Sequence, residues 1–267
     1  MTARRLVLAL GVVLSAVLLA TGLASPAGAI HRGSDAPFDS YRFMVSLRLA
    51  NTPDSHRCGG TLIEPDIVLT AAHCVAGVPD GRVVVVVGAD TPTWPTAPRV
   101  ATLAHRVPPT YGGRRDHRDD IAVVRLAERQ ATPGVRLAKG EPRVRDRVVT
   151  VGWGCTSAPP DCATRATNLQ FSAQAVLPDS SCGRNVFWNP PYNFRTGICT
   201  NGIRARSTVN RGDSGGPLLV RDQSGNLRQV GVTALGADSK TKLYAGFTSI
   251  PVERKWLAGA IESLRTR

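Results

Sequence analysis

Short apolar runs set the rhythm of the chain. Stretches rich in valine and leucine recur at residues 43–49, 61–70, 83–87, 121–126, 148–153, 217–220 and 230–234. Turn-forming groups separate them, among them Thr52-Pro53-Asp54, Pro79-Asp80-Gly81, Pro108-Pro109, Gly112-Gly113 and Ser224-Gly225-Asn226. Strands at this pitch, punctuated by glycine and proline, predict an all-β barrel or sandwich. The period changes at the end of the chain. Val252, Trp256, Leu257, Ile261 and Leu264 share one helical face, with Glu253, Arg254, Glu262 and Arg265 largely off it. That spacing predicts a terminal amphipathic helix that serves packing.

The first 29 residues follow a different pattern. Arg4 and Arg5 give a positive start, residues 6–20 are almost unbroken apolar, and small residues lead to Ala27-Gly28-Ala29. This is the layout of a secretory signal read by signal peptidase. A spanning helix needs about 20 apolar residues, and this run is shorter and ends at a small-x-small site. The expectation is cleavage after Ala29, leaving a secreted, soluble chain of 238 of the 267 residues that starts at Ile30. No later segment is long and apolar enough to span a membrane.

Composition narrows the class further. All six cysteines lie beyond residue 29, and an even count in an exported chain predicts three disulfides. None has the Cys-x-x-Cys spacing of a zinc site. The formal charge of +13, less Arg4 and Arg5 of the leader, leaves +11. Such a balance favours loose association with anionic surfaces. The basic residues are scattered, however, so charge alone names no function.

Three segments carry chemistry. Arg211-Gly212-Asp213-Ser214-Gly215-Gly216-Pro217-Leu218 places a serine among glycines. A serine hydroxyl is a poor nucleophile until a base takes its proton and donors meet the oxyanion it creates. Glycines permit the sharp turn that aims the N–H groups of Gly212 and Ser214 at one point. Leu69-Thr70-Ala71-Ala72-His73-Cys74 places a histidine at a strand end beside a cysteine, with Cys58 sixteen positions earlier. Asp119-Asp120-Ile121-Ala122-Val123-Val124 sends an acid into an apolar strand, where a buried carboxylate needs a partner such as a histidine Nδ1–H.

Together these segments resemble the chymotrypsin-like (trypsin-like) serine protease family, and their order His, Asp, Ser matches that family. Ile30, Gly152-Trp153-Gly154 and the final helix extend the likeness over nearly all of the chain beyond the leader. The resemblance implies two antiparallel six-stranded β-barrels side by side, the first over about residues 30–137, the second with the C-terminal helix over about 138–267. It implies a serine endopeptidase with His73, Asp120 and Ser214 as catalytic triad and Gly212 and Ser214 as oxyanion hole. Asp119 is expected to be solvated. The disulfides implied are Cys58–Cys74, Cys182–Cys199 and Cys155–Cys162. A freed Ile30 amine would pair with Asp213, although Arg32 stands where the family usually has glycine. No metal or organic cofactor is implied. Partners would be protein or peptide substrates and a proteinaceous inhibitor, with the enzyme a monomer.

The specificity pocket departs from the trypsin pattern. Thr208 occupies the floor position where a trypsin-like enzyme has aspartate. Ala234, Leu235 and Gly236 form the wall, and Asn210 replaces a cysteine of the usual pocket disulfide. Lys242 pointing inward would favour acidic residues or block the pocket; pointing outward it would leave a small pocket over Thr208. Asp238 entering instead would attract basic residues. Two rival functions stand beside the protease: a non-catalytic cationic binding protein on the same scaffold, and a serine hydrolase acting on esters.

Overall fold

The computed structural model describes residues 30–91, 97–113, 117–159, 161–183, 195–203, 207–236 and 243–266. Two closed barrels organise it. The first is built from β2 (Met44–Leu49), β3 (Cys58–Glu64), β4 (Ile67–Thr70), β5 (Val83–Val87), β6 (Arg99–Arg106) and β7 (Ala122–Leu126). They pair antiparallel around the ring in the order β2-β3-β4-β7-β6-β5.

The second barrel uses β9 (Arg147–Gly152), β10 (Gln170–Val176), β11 (Gly197–Gly202), β12 (Pro217–Arg221), β13 (Leu227–Leu235) and β14 (Tyr244–Ser249). Their antiparallel order β9-β10-β11-β14-β13-β12 closes through β12 on β9. Short β1 (Ser34–Asp35) adds to β10, and β8 (Arg136–Leu137) lies parallel to β13. Three helices complete the fold: α1 (Ala72–Val75), α2 (Asp179–Gly183) and α3 (Ile250–Arg265). Among the described residues no helix is long and apolar enough to cross a membrane. Disulfides join Cys58 to Cys74, Cys155 to Cys162 and Cys182 to Cys199.

The valine-rich runs become strands because β-branched side chains pack well on a pleated surface. The run 61–70 divides at Pro65-Asp66 into the hairpin β3–β4. Strands without such runs are β6, β10, β11 and β14. In β10 the polar side chains face inward: Gln170, Ser172 and Gln174 are buried. There Thr200 Oγ1 donates to Gln174 Oε1 at 2.9 Å, Gln174 Nε2 donates to Ser172 Oγ at 2.8 Å, and Ser172 and Ser207 share a 2.6 Å bond. A satisfied network of this kind stabilises a barrel interior without apolar contacts.

Helix α3 starts at Ser249, whose Oγ accepts from the Val252 N–H, a standard N-cap. Its buried residues are Ile250, Glu253, Leu257, Ala260 and Leu264. This face is rotated from the one expected: Val252 is 46 % exposed and Glu253 is buried. The reason is Asp119, which is also buried and shares a hydrogen bond with Glu253. Asp119 is therefore not solvated. Burial first, and then the neighbouring Asp119, pushes the Glu253 pKa up to about 7.

One apolar cluster runs through the first barrel, Trp153, Leu219 and Val232 of the second, and α3, so the barrels share a core. Polar bonds pin them as well. Thr61 Oγ1 on β3 donates to Gln229 Oε1 on β13 at 2.6 Å, with both residues buried. Thr61→Val keeps the shape and orphans that oxygen, a cost of about 1–3 kcal/mol. Its urea midpoint should fall, and adding Gln229→Leu should recover part of the loss. An unchanged midpoint in Thr61→Val would contradict this role.

Candidate active site

His73 sits in the single turn α1, which follows directly from β4 and is tied by Cys74 to Cys58 on β3. Asp120 lies just before β7, the neighbour of β4 in the barrel. The two meet through a double contact. Asp120 Oδ1 accepts the His73 backbone N–H at 2.8 Å, and Oδ2 accepts from His73 Nδ1 at 2.6 Å. Because Asp120 Oδ2 can only accept when ionised, the neutral His73 ring carries its proton on Nδ1 and its lone pair on Nε2.

The Asp120 side chain is fully buried, whereas that of His73 is 15 % exposed. Burial alone pushes a carboxyl up. Here electrostatic attraction to His73, a hydrogen bond from His117 and the two His73 bonds outweigh it and hold Asp120 at about 2. Thr248 Oγ1 of β14 donates to the Asp120 backbone oxygen at 3.1 Å, so the second barrel braces the acid of the first.

Ser214 lies on the loop before β12, and the loop docks onto the His73 segment. Gly59 N–H donates to the Ser214 oxygen at 2.8 Å. A Cβ on Gly215, where φ is +80°, would lie 3.1 Å from the Ala71 nitrogen, so only glycine permits this approach. Bonds from Gly215 N–H to Thr233 O at 2.9 Å and from Thr233 N–H to Gly216 O at 2.8 Å anchor the loop to β13. Gly212 has φ +97°, and a Cβ there would lie 3.1 Å from the Gly154 Cα. Among the described residues the Gly212 and Ser214 N–H groups donate to no protein acceptor, which leaves both available to a ligand.

Behind this loop stands a histidine that the sequence motifs did not single out. His56 is fully buried; its Nε2 donates to the Gly212 oxygen at 2.9 Å, and Ser46 Oγ lies 2.7 Å from its Nδ1. Burial pushes His56 down to about 4, so the ring is neutral and Ser46 donates to Nδ1. His56 thereby fixes the orientation of the peptide at Gly212. Its place two residues before Cys58 was the available signal. A second unforeseen histidine, His117, has its ring centroid 6.0 Å from that of His73.

Asp213 is also fully buried, but its partners differ. Its carboxylate accepts the Gly154 and Asn210 N–H groups, each at 2.8 Å. A Cβ on Gly154 would lie 2.6 Å from Asp213 Oδ1, so the glycines of Gly152-Trp153-Gly154 make room for the acid. Burial pushes Asp213 up to about 7, against the lowering effects of Asn210, Gly154 and Arg165. Ile30 is fully buried, with φ +62°. With the chain continuous through Ala29 and Ile30, no amine is available there to pair with Asp213.

Thr208 is fully buried, gives its N–H to His31 O at 3.1 Å, and leaves Oγ1 without a hydrogen-bond partner. Ala234 is buried and Leu235 half-buried at the end of β13, with Gly236 following. Lys242 and Asp238 lie outside the described residues. Asn210 acts where a cysteine was expected. Its Nδ2 donates to Cys155 O at 3.2 Å and Ser157 O at 2.9 Å, tying the Ser214 loop to the loop closed by Cys155–Cys162. Cys58, Cys74 and His73 cluster closely enough for a metal, but the two sulfurs are bonded to each other.

Comparison with known proteins gives a consistent picture. Residues 30–257 match the family model for Trypsin. Mouse cathepsin G is 30 % identical over 86 % of this chain and 85 % of its own length. A trypsin-like protease of Streptomyces glaucescens is 29 % identical over 93 % and 91 %, and trypsin theta of Drosophila erecta 29 % over 89 % and 88 %. Mouse neuropsin, a serine protease of known structure, superposes with a TM-score of 0.73 at 22 % identity, covering 87 % of this chain and all of its own.

The Asp213 environment generates a pH test. Its raised pKa means the folded, uncut chain holds a proton that the unfolded chain has released, from the ordinary 3.8 up to about 7. Its contribution is therefore present at acid pH and lost as pH rises through that window. A chain extended before Ile30 and carrying Ser214→Ala should lose stability relative to its Asp213→Asn counterpart between about pH 4 and pH 7. Urea titrations at each pH check this. A constant difference would show that Asp213 is not the group concerned.

Proposed function

Because the chain belongs to the trypsin family, and is thus a serine endopeptidase, we propose that Ser214, His73 and Asp120 perform its chemistry. The observation that carries this reading is the double grip of buried Asp120 on His73, which leaves Nε2 as a proton acceptor. Ser214 Oγ attacks the scissile carbonyl carbon while His73 Nε2 takes the hydroxyl proton. The Gly212 and Ser214 N–H groups receive the oxyanion. On collapse His73 returns the proton to the leaving amine, giving an acyl-enzyme. Water then repeats the sequence: His73 takes its proton, the ester breaks, and Ser214 regains its hydrogen.

We further propose that residues 1–29 are a secretion signal and that cleavage after Ala29 frees the Ile30 amine directly. The protease unit is then residues 30–267, in two barrels that divide near residue 137. The positive φ of Ile30, strained for a β-branched residue, supports this reading because a chain starting at Ile30 has no such torsion to hold. The new ammonium would ionise Asp213 and lock the oxyanion loop. An α-amine ordinarily titrates near 7.7–8.0; pairing raises that value, so activity should fade only at more strongly alkaline pH.

Thr208 at the pocket floor, without an acid, argues against a preference for arginine or lysine. The substrates are proteins or peptides. The same site would accept a proteinaceous inhibitor, the net positive charge suits loose contact with polyanions, and the active unit is a monomer.

The test is the intact mass of the secreted protein before and after a serine-directed phosphonate probe. The expected result is a chain starting at Ile30 with one adduct, absent in Ser214→Ala. A chain starting elsewhere would contradict direct activation, and an Ile30 chain without adduct would favour the binding-protein reading. Ser214→Ala and His73→Ala should each cost about 10⁶-fold in kcat. A peptide library separates peptidase from esterase and should show weak cleavage after arginine. Strong cleavage there would overturn the assignment of Thr208.

A further inference from the structure

Gly212 is the movable joint of the Ser214 loop. Its φ of +97° is a left-handed value that glycine adopts freely, so the peptide plane between Arg211 and Gly212 turns over at little cost unless something holds it. That plane carries Gly212 N–H on one edge and the Arg211 carbonyl on the other, pointing in opposite directions. Cys155 N–H donates to Arg211 O at 2.8 Å, so the bond that holds the carbonyl also aims Gly212 N–H.

Asn210 in turn holds Cys155. Its side chain is buried, and both ends of its amide are engaged. Oδ1 accepts Arg211 N–H at 2.9 Å, while Nδ2 donates to Cys155 O at 3.2 Å and Ser157 O at 2.9 Å. The Asn210 backbone closes the turn: its N–H donates to Asp213 Oδ2 at 2.8 Å, and its oxygen accepts Asp213 N–H at 3.0 Å. The two carbonyls gripped by Nδ2 belong to a segment that is itself locked. The Cys155–Cys162 disulfide closes it, Thr156 N–H donates to Thr164 O at 2.9 Å, and Cys155 forms a β-bridge with Arg165.

On the reading of Gly212 N–H as an oxyanion donor, we propose that Asn210 is a positioning residue for it. Working through the Cys155–Cys162 loop, Asn210 keeps the Arg211–Gly212 peptide in its productive orientation. With this clamp open, the plane samples the flipped state, in which Arg211 O faces the developing oxyanion and Gly212 N–H turns away. Losing an oxyanion donor outright costs about 10²–10³-fold in kcat. A plane misaligned for part of the time loses less. Because the donor acts only once charge develops, the loss falls on kcat and leaves KM near its wild-type value.

The clamp can be opened from two sides. Asn210→Asp keeps the shape and the acceptor for Arg211 N–H, but it can donate to neither carbonyl. Cys155→Ser with Cys162→Ser frees the loop instead. Each should lower kcat about tenfold or more, counted per molecule titrated with the phosphonate probe, with KM little changed. A peptide aldehyde, whose adduct on Ser214 places an oxygen at the oxyanion position, should lose affinity in step with kcat/KM. Because both changes act through one link, the combined variant should cost little more than the more damaging of the two. Losses that multiply, or a kcat unchanged in Asn210→Asp, would overturn the role.

Hydrogen exchange tests the clamp without reference to activity. In the Ser214→Ala chain, adding Asn210→Asp should speed exchange at Cys155 N–H and Asp213 N–H more than about tenfold. Unchanged exchange at both amides would overturn the clamp. Faster exchange in a protein whose wild-type form proves inactive would support the clamp and count against the catalytic reading alone.

Discussion

The Asp120 carboxylate, removed from solvent yet ionised, is the constraint on which the rest of the site depends. An ionised group in that position is tolerated only when hydrogen bonds replace the water it has lost. The fold supplies them chiefly from His73, through its backbone N–H and ring Nδ1, with a longer contact from His117 Nδ1. That demands a rigid frame. Strands β4 and β7 are neighbours in a closed barrel, Cys58–Cys74 ties the histidine turn down, and Thr248 of the other barrel holds the Asp120 oxygen. The barrels thus act as a clamp that fixes the tautomer of one imidazole.

A second buried carboxylate, Asp213, shows how partners decide the state of identical groups. Asp120 has the His73 imidazole in hand and stays at about 2; Asp213 accepts only backbone N–H groups, and burial pushes it up to about 7 despite Arg165. On our reading the first acid serves the chemistry and the second awaits the Ile30 ammonium. Neutral His56 and Asn210 then set the loop geometry between them through the Gly212 oxygen and the Cys155 and Ser157 oxygens.

The fold was legible wherever burial is achieved by valine and leucine. The segment Val83–Val87 is a strand with the expected bounds, the runs around β2, β9 and β12 lie within one residue of theirs, and β13 starts three residues earlier than expected. Strand β10 was illegible because its inward positions are glutamine and serine, which read as a loop until Thr200 and Ser207 are seen to pair with them. Asp119 and Glu253 misled for a related reason: two acids look solvated in sequence, but here they are buried against each other. In the site, the three motif segments announced themselves because their chemistry demands specific residues at specific places. His117 carries no such local pattern, and His56 only its place two residues before Cys58. Their contacts are to Gly212 and Asp120 through space, and only the folded geometry shows them.

The most direct test of the account is the pH dependence of the rate at which a phosphonate probe labels Ser214. With His73 as base, the labelling rate should rise with pH through one group that must be deprotonated. In His73→Gln that dependence should vanish and the rate should fall steeply. A labelling rate and pH profile unchanged in His73→Gln would show that the histidine gripped by Asp120 does not activate Ser214, and would contradict the account.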